Sequence, residues 1–144
     1  MTAHPGCKIC TMLDATAPED VVLAGDHWGV VAMQDTPGIL MAFTRDHDGG
    51  IGTLSDAAAA EFGPMIKTLS ASLITTGEFE KTSVIYLGDN AIHTHFMLVG
   101  RKTGDAPIFD NTPLMARFAE KDRPRTRKIA GQLRDALGLS GMIS

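Results

Sequence analysis

Two β-rich runs, TSVIYLG at 82–88 and THFMLVG at 94–100, are separated by only five residues, DNAIH. A parallel pairing needs a crossover of a dozen residues or more, so these runs are predicted to pair antiparallel. Upstream, VVLAGDHWGVVAM at 21–33 reads as two short strands joined at Gly25 and Asp26. The turn DTPG at 35–38 leads into a further strand, ILMAFTR, with Pro37 restricting the backbone and Gly38 freeing it. Ser55 or Asp56 is suited to cap a helix through AAAAEFGPMIKTLSASLI at 57–74, where Gly63 and Pro64 predict a kink or a break. A shorter helix is predicted from about Pro124 to Leu137, stopped by Gly138. The order β-β-β-α-β-β-α argues for an α+β fold: an antiparallel sheet of about five strands with one long and one shorter helix, in one domain spanning 1–144.

The length of 144 residues and the hydrophobic content of 44% suit a single core. The longest apolar stretches stop well short of the ~20 residues a membrane-spanning helix needs. The opening MTAHPGCKIC has no basic patch followed by a hydrophobic run, so the expected location is the cytoplasm. Charge is unevenly spread: residues 1–100 hold 4 Lys and Arg against 12 Asp and Glu, and residues 101–144 hold 9 against 5. Much of the basic excess lies in KDRPRTRK at 121–128, which reads as a solvated helix face; no aromatic residue is interleaved to stack on bases, which argues against a nucleic-acid partner.

Cys7 and Cys10, in CKIC, are too close together to form a disulfide framework. Their spacing lets two thiolates bind one metal, and zinc is the usual cation for a set that mixes sulfur and imidazole. His4, His27, His47 and His93 are the candidates for the remaining positions. A redox pair is the weaker reading, because only six residues precede Cys7, and packing as two small hydrophobes remains an alternative. If residues 93–98 are extended, alternation sends His93, His95 and Met97 to one face, and Thr94, Phe96 and Leu98 to the other.

Three segments, CKIC, DTPGILMAFTRDH and HTHFMLVGR, together resemble the histidine triad superfamily of nucleotide hydrolases and transferases, in order and in interval. The first resembles its cysteine pair. The second resembles its acidic residue, turn, strand and closing histidine, and the third its H-x-H-x-H-x-x signature. The resemblance implies a homodimer and, in the zinc-bearing branches, a structural zinc ion held by Cys7, Cys10, His47 and His93. It implies that His95 is the nucleophile, attacking an α-phosphate to give a nucleotidyl-histidine, with its other ring nitrogen held by the carbonyl of His93. It places Asp35 on the ribose hydroxyls and Asn90 near phosphate, and it puts Ile9 and Trp28 where apolar side chains wall a base pocket. Ile9 and Trp28 read equally well as core.

Two positions depart from the family pattern. Met97 stands where hydrolytic members have the third histidine, against the phosphate and the leaving group, and Ile39 stands where a further histidine is common. A thioether cannot donate a hydrogen bond. The leading expectation is therefore a nucleotide hydrolase or nucleotidyl transferase. The alternative is a nucleotide-binding or regulatory module in which these replacements have removed turnover.

Overall fold

The structure is a computed structural model that describes residues 4–88, 91–108, 110 and 112–139. Its strands are β1 (Val21–Ala24), β2 (Trp28–Ala32), β3 (Ile39–Thr44), β4 (Lys81–Ile85) and β5 (His95–Arg101). They form one sheet in the order β1-β2-β3-β5-β4, with every neighbouring pair antiparallel. The expected α+β class holds. The helices are α1 (Met12–Ala15), α2 (Asp56–Thr75), α3 (Thr112–Phe118) and α4 (Arg123–Leu139). The short helices α1 and α3 were not anticipated from the sequence. Among the described residues, no helix is long and apolar enough to cross a membrane.

Helix α2 starts where the sequence indicated, with the Ser55 side chain accepting from the Ala58 N–H. It runs unbroken through Gly63 and Pro64. The carbonyl that Pro64 deprives of a helical partner is that of Ala60, which is exposed, so water can satisfy it. Ala58, Met65, Leu69 and Leu73 form its buried stripe, and Ile129, Ala130, Leu133 and Leu137 form that of α4. Helix α4 continues past Gly138 to Leu139, one turn position beyond the expected stop.

These stripes cover one face of the sheet, where Val22, Trp28, Val30, Leu40, Ala42, Phe96 and Leu98 complete the main core. The opposite face carries two smaller clusters. At one end Ile9 packs with Val31 and Phe43, and at the other Leu114 packs with Ile39 and Val99. The basic run lies on a largely exposed face, as expected, and its arginines also make ion pairs across the fold. Arg123, Arg125 and Arg127 pair with Asp35, Glu78 and Asp20, tying the start of α4 to three distant segments.

Candidate functional site

Antiparallel pairing of β3 with β5 puts the exit of one strand beside the start of the other, with Phe43 opposite His95. His47, just past β3, and His93, just before β5, therefore meet at the same edge. The N-terminal turn carrying Cys7 and Cys10 closes over them. The Nδ1 atom of His93 lies 3.4 Å from Cys7 Sγ and 3.6 Å from Cys10 Sγ, and His47 Nδ1 lies 3.3 Å from Cys10 Sγ. All four donor atoms fall within 4.8 Å of one another.

This donor set fits a tetrahedral zinc ion. Zn–S bonds of about 2.3 Å and Zn–N bonds of about 2.0 Å give S···N edges of roughly 3.5 Å, close to the separations found. The tautomer agrees as well. His93 Nε2 lies 2.6 Å from the carbonyl oxygen of Thr44, so it carries the proton and donates, leaving Nδ1 as a bare lone pair aimed at the sulfurs. His93 is only 2% exposed. Burial, with a smaller contribution from the neighbouring His47, lowers its pKa below the ordinary histidine value and favours the neutral form a metal requires. Burial also pushes the Cys10 thiol up, a tendency that a bound cation reverses. Of the other histidines considered as ligands, His4 stacks on the His47 ring at 4.2 Å between centroids, and His27 faces Glu61 at 4.0 Å.

Three residues that sequence reasoning passed over brace this edge. Thr94 donates to the Asp48 carboxylate, and Thr44 Oγ1 lies 3.4 Å from the same oxygen. Thr44 Oγ1 also lies 2.9 Å from the carbonyl of Asp46. Thr44 and Thr94 are each 1% exposed, so the loop bearing His47 is tied to buried hydroxyls. The only sequence signal was Asp48, next to His47 and followed by two glycines, a pattern that reads equally well as turn chemistry.

His95 stands two residues farther along. Its Nδ1 donates to the carbonyl of His93 at 2.6 Å, since a carbonyl oxygen can only accept. Nε2 is thereby left unprotonated in the neutral ring. On the central strands β3 and β5, the residues not buried are Met41, His95 and Met97. Met41 is directly opposite Met97 in the register. The accessible floor on this face is thus one imidazole and two thioethers.

The remaining expected residues are scattered. Ile9 is 5% exposed and lies on the His95 face, against Val31 and Phe43. Trp28 is fully buried on the helix-covered face, with its indole N–H donating to the Ala58 carbonyl at 2.8 Å. Of its two readings, core is the one that describes it, and this placement removes it from any pocket beside His95. Asp35 lies in the turn before β3, which adjoins the Val99 end of β5 rather than His95. Both of its carboxylate oxygens accept from Arg123 at 3.1 Å, an ion pair that lowers its pKa below the usual carboxylate range. Asn90 lies outside the described residues. Ile39 is fully buried beneath Leu114.

The sequence matches no protein-family model and no curated protein. Solved structures do match over most of the chain. A zinc-bound histidine triad family protein of Mycobacterium smegmatis is 14% identical with a TM-score of 0.67, the match covering 94% of this chain and 96% of that one. A uridylyltransferase mutant is 17% identical at TM-score 0.67, covering 95% of this chain and 48% of its own. The Plasmodium falciparum diadenosine triphosphate hydrolase, in complex with cyclomarin A, is 10% identical at TM-score 0.62, covering 86% and 80%. At such identities the likeness is one of fold.

Proposed function

We propose that this chain, which has the fold of histidine triad proteins, is a nucleotide hydrolase or nucleotidyl transferase acting through a nucleotidyl-His95 intermediate. The observation that carries the reading is the tautomer of His95. With Nδ1–H committed to the His93 carbonyl, the Nε2 lone pair is available on the accessible face of the sheet. Two of the similar structures, a uridylyltransferase and a diadenosine triphosphate hydrolase, act on nucleotides.

In the first half-reaction, Nε2 attacks the α-phosphorus opposite the leaving group. A P–N bond forms while the bond to the leaving group breaks, and that group departs with the electron pair. The ring gains positive charge, which strengthens the Nδ1–H bond to the His93 carbonyl. In the second half, water or an acceptor hydroxyl attacks phosphorus and gives up its proton to solvent, and the P–N electrons return to Nε2. When bound at Cys7, Cys10, His47 and His93, zinc supplies a closed structural clamp, because four protein ligands leave no position for substrate. Asn90 and Ile9 keep the phosphate and base-wall roles implied by the resemblance, whereas Asp35, paired with Arg123 at the Val99 end of β5, is left out of the ribose role. The chain is further proposed to be cytoplasmic and to be a homodimer, the dimer being supported by the edge position of β4, where Val84 is 43% exposed.

A second reading, a binding module without turnover, is favoured by one observation. Met41 and Met97, the floor beside His95, offer no hydrogen-bond donor. Turnover of a nucleoside phosphoramidate and a dinucleoside polyphosphate by the wild type and by His95→Asn separates the two. Loss of all turnover in His95→Asn, with binding retained, is expected. Wild-type activity in that variant contradicts the mechanism, and an inert wild type that still binds nucleotide favours the second reading.

A further inference from the structure

The two departures from the family pattern, Ile39 and Met97, touch the same object. Ile39, 0% exposed, and Val99, 1% exposed, form a cluster with Leu114 of α3, against which Met97, Met33, Ile85, Ile108 and Phe118 pack. A histidine at 39 would be sealed beneath Leu114 away from water, a costly position for a polar ring without a partner. The apolar side chains at 39 and 97 are therefore accounted for as the seat of a helix.

That helix is fixed at its far end. Arg117 donates to the Gly100 carbonyl at 2.7 Å and to the Pro37 carbonyl at 2.8 Å, gripping the ends of β5 and of the turn before β3. Lys121 donates to the Gln34 carbonyl at 2.7 Å, and Arg123 holds Asp35. A group lying over Met97 thus meets a braced apolar obstacle. Met97, at the near side of the seat, is two residues beyond His95, and Val99, at its centre, is four, roughly 7 and 13 Å at about 3.3 Å per strand residue.

We propose that α3 is the end wall of the substrate trough and that Leu114 determines specificity by limiting the length of the group joined to the α-phosphate. This rests on the reading of His95 as the reacting residue. The substrate class that follows is a nucleoside 5′-phosphate joined to a compact, uncharged group. A polyphosphate chain laid over two thioethers and the Leu114 cluster would lose hydration without gaining donors.

The test uses adenosine 5′-(4-alkylphenyl) phosphates with alkyl groups from hydrogen to pentyl, which lengthen the leaving group while hardly changing its acidity. Binding is measured calorimetrically on the full chain carrying His95→Asn, so that substrate persists, and phenol release is measured with His95 intact. Affinity is expected to fall by about tenfold or more at one chain length. Leu114→Ala is expected to move that cut-off about two carbons longer, read as affinity relative to the unsubstituted phenyl ester in the same variant, and Leu114→Phe to move it shorter. If Leu114→Ala fails to fold, Leu114→Val makes the same test with a smaller shift. A cut-off that does not move in any folded variant, or affinity that rises with length throughout, overturns the wall. Absence of phenol release with the cut-off intact faults the role of His95 and leaves the wall standing; full release with no cut-off does the reverse. No binding by any member contradicts both.

Discussion

Residues 93 and 95 are one amino acid type two positions apart, yet their ring protons sit on different nitrogens. His93 is protonated at Nε2 by its bond to Thr44 and offers Nδ1 to the cysteines; His95 is protonated at Nδ1 by its bond to His93 and leaves Nε2 bare. The backbone carbonyls thus give the two rings opposite tautomers, as the proposed roles of ligand and nucleophile require. The same scale carries the weakness of the site, since Met97 cannot protonate a leaving group. Met97→His is expected to raise the rate most for poor leaving groups, by up to the ~10²-fold that a positioned acid contributes, and little for good ones. Rates over a series of leaving groups of graded acidity check this, and a uniform change would contradict it. The ligand set is tested separately. Cys10→Ser is expected to reduce zinc, measured in chelator-free protein, from near one per chain, and to lower the melting temperature; a metal-free wild type with the same melting behaviour as the variant would return the cysteines to packing.

At the scale of elements, the sequence made much of the sheet readable and left its faces undecided. Alternation assigns His95 and Met97 to one side of their own strand, but whether Trp28 shares that side depends on register. Pairing of Trp28 with Thr44, and of Phe43 with His95, sends Trp28 to the helix-covered face. Helix α3 was missed because TPLMARF is too short to show a period; its Leu114 is held by packing against Ile39 and Val99, which lie far away in sequence. The basic run is the exposed face that was expected, but its ion pairs were not legible for a similar reason. Its arginines reach carboxylates 47 to 107 residues away, contacts that no local pattern reveals. Arg125→Ala with Arg127→Ala is therefore expected to cost stability by about 1 kcal/mol, as partly exposed ion pairs do, while leaving mononucleotide affinity nearly unchanged. Denaturant unfolding and calorimetry measure the two effects, and a large, salt-dependent loss of affinity would mean that these arginines reach phosphate.

For the whole molecule, one sheet organises every function assigned here. One face is closed by α2 and α4, and the other is roofed at both ends, by the N-terminal segment and by α3, so that only His95, Met41 and Met97 remain accessible on the central strands. In the proposed dimer the edge strand β4 is where a second copy would pair, and light scattering at micromolar concentration is expected to give twice the chain mass; a monomer would count against that arrangement. The central claim is that His95 forms a covalent bond to phosphorus, and intact-mass spectrometry of acid-free quenched reactions tests it most directly. With adenylated and guanylated substrates, the protein is expected to gain the mass of one nucleotidyl group, mapped to the peptide containing His95 and absent in His95→Asn. An adduct on another residue, or turnover with no adduct at any quench time, would contradict it.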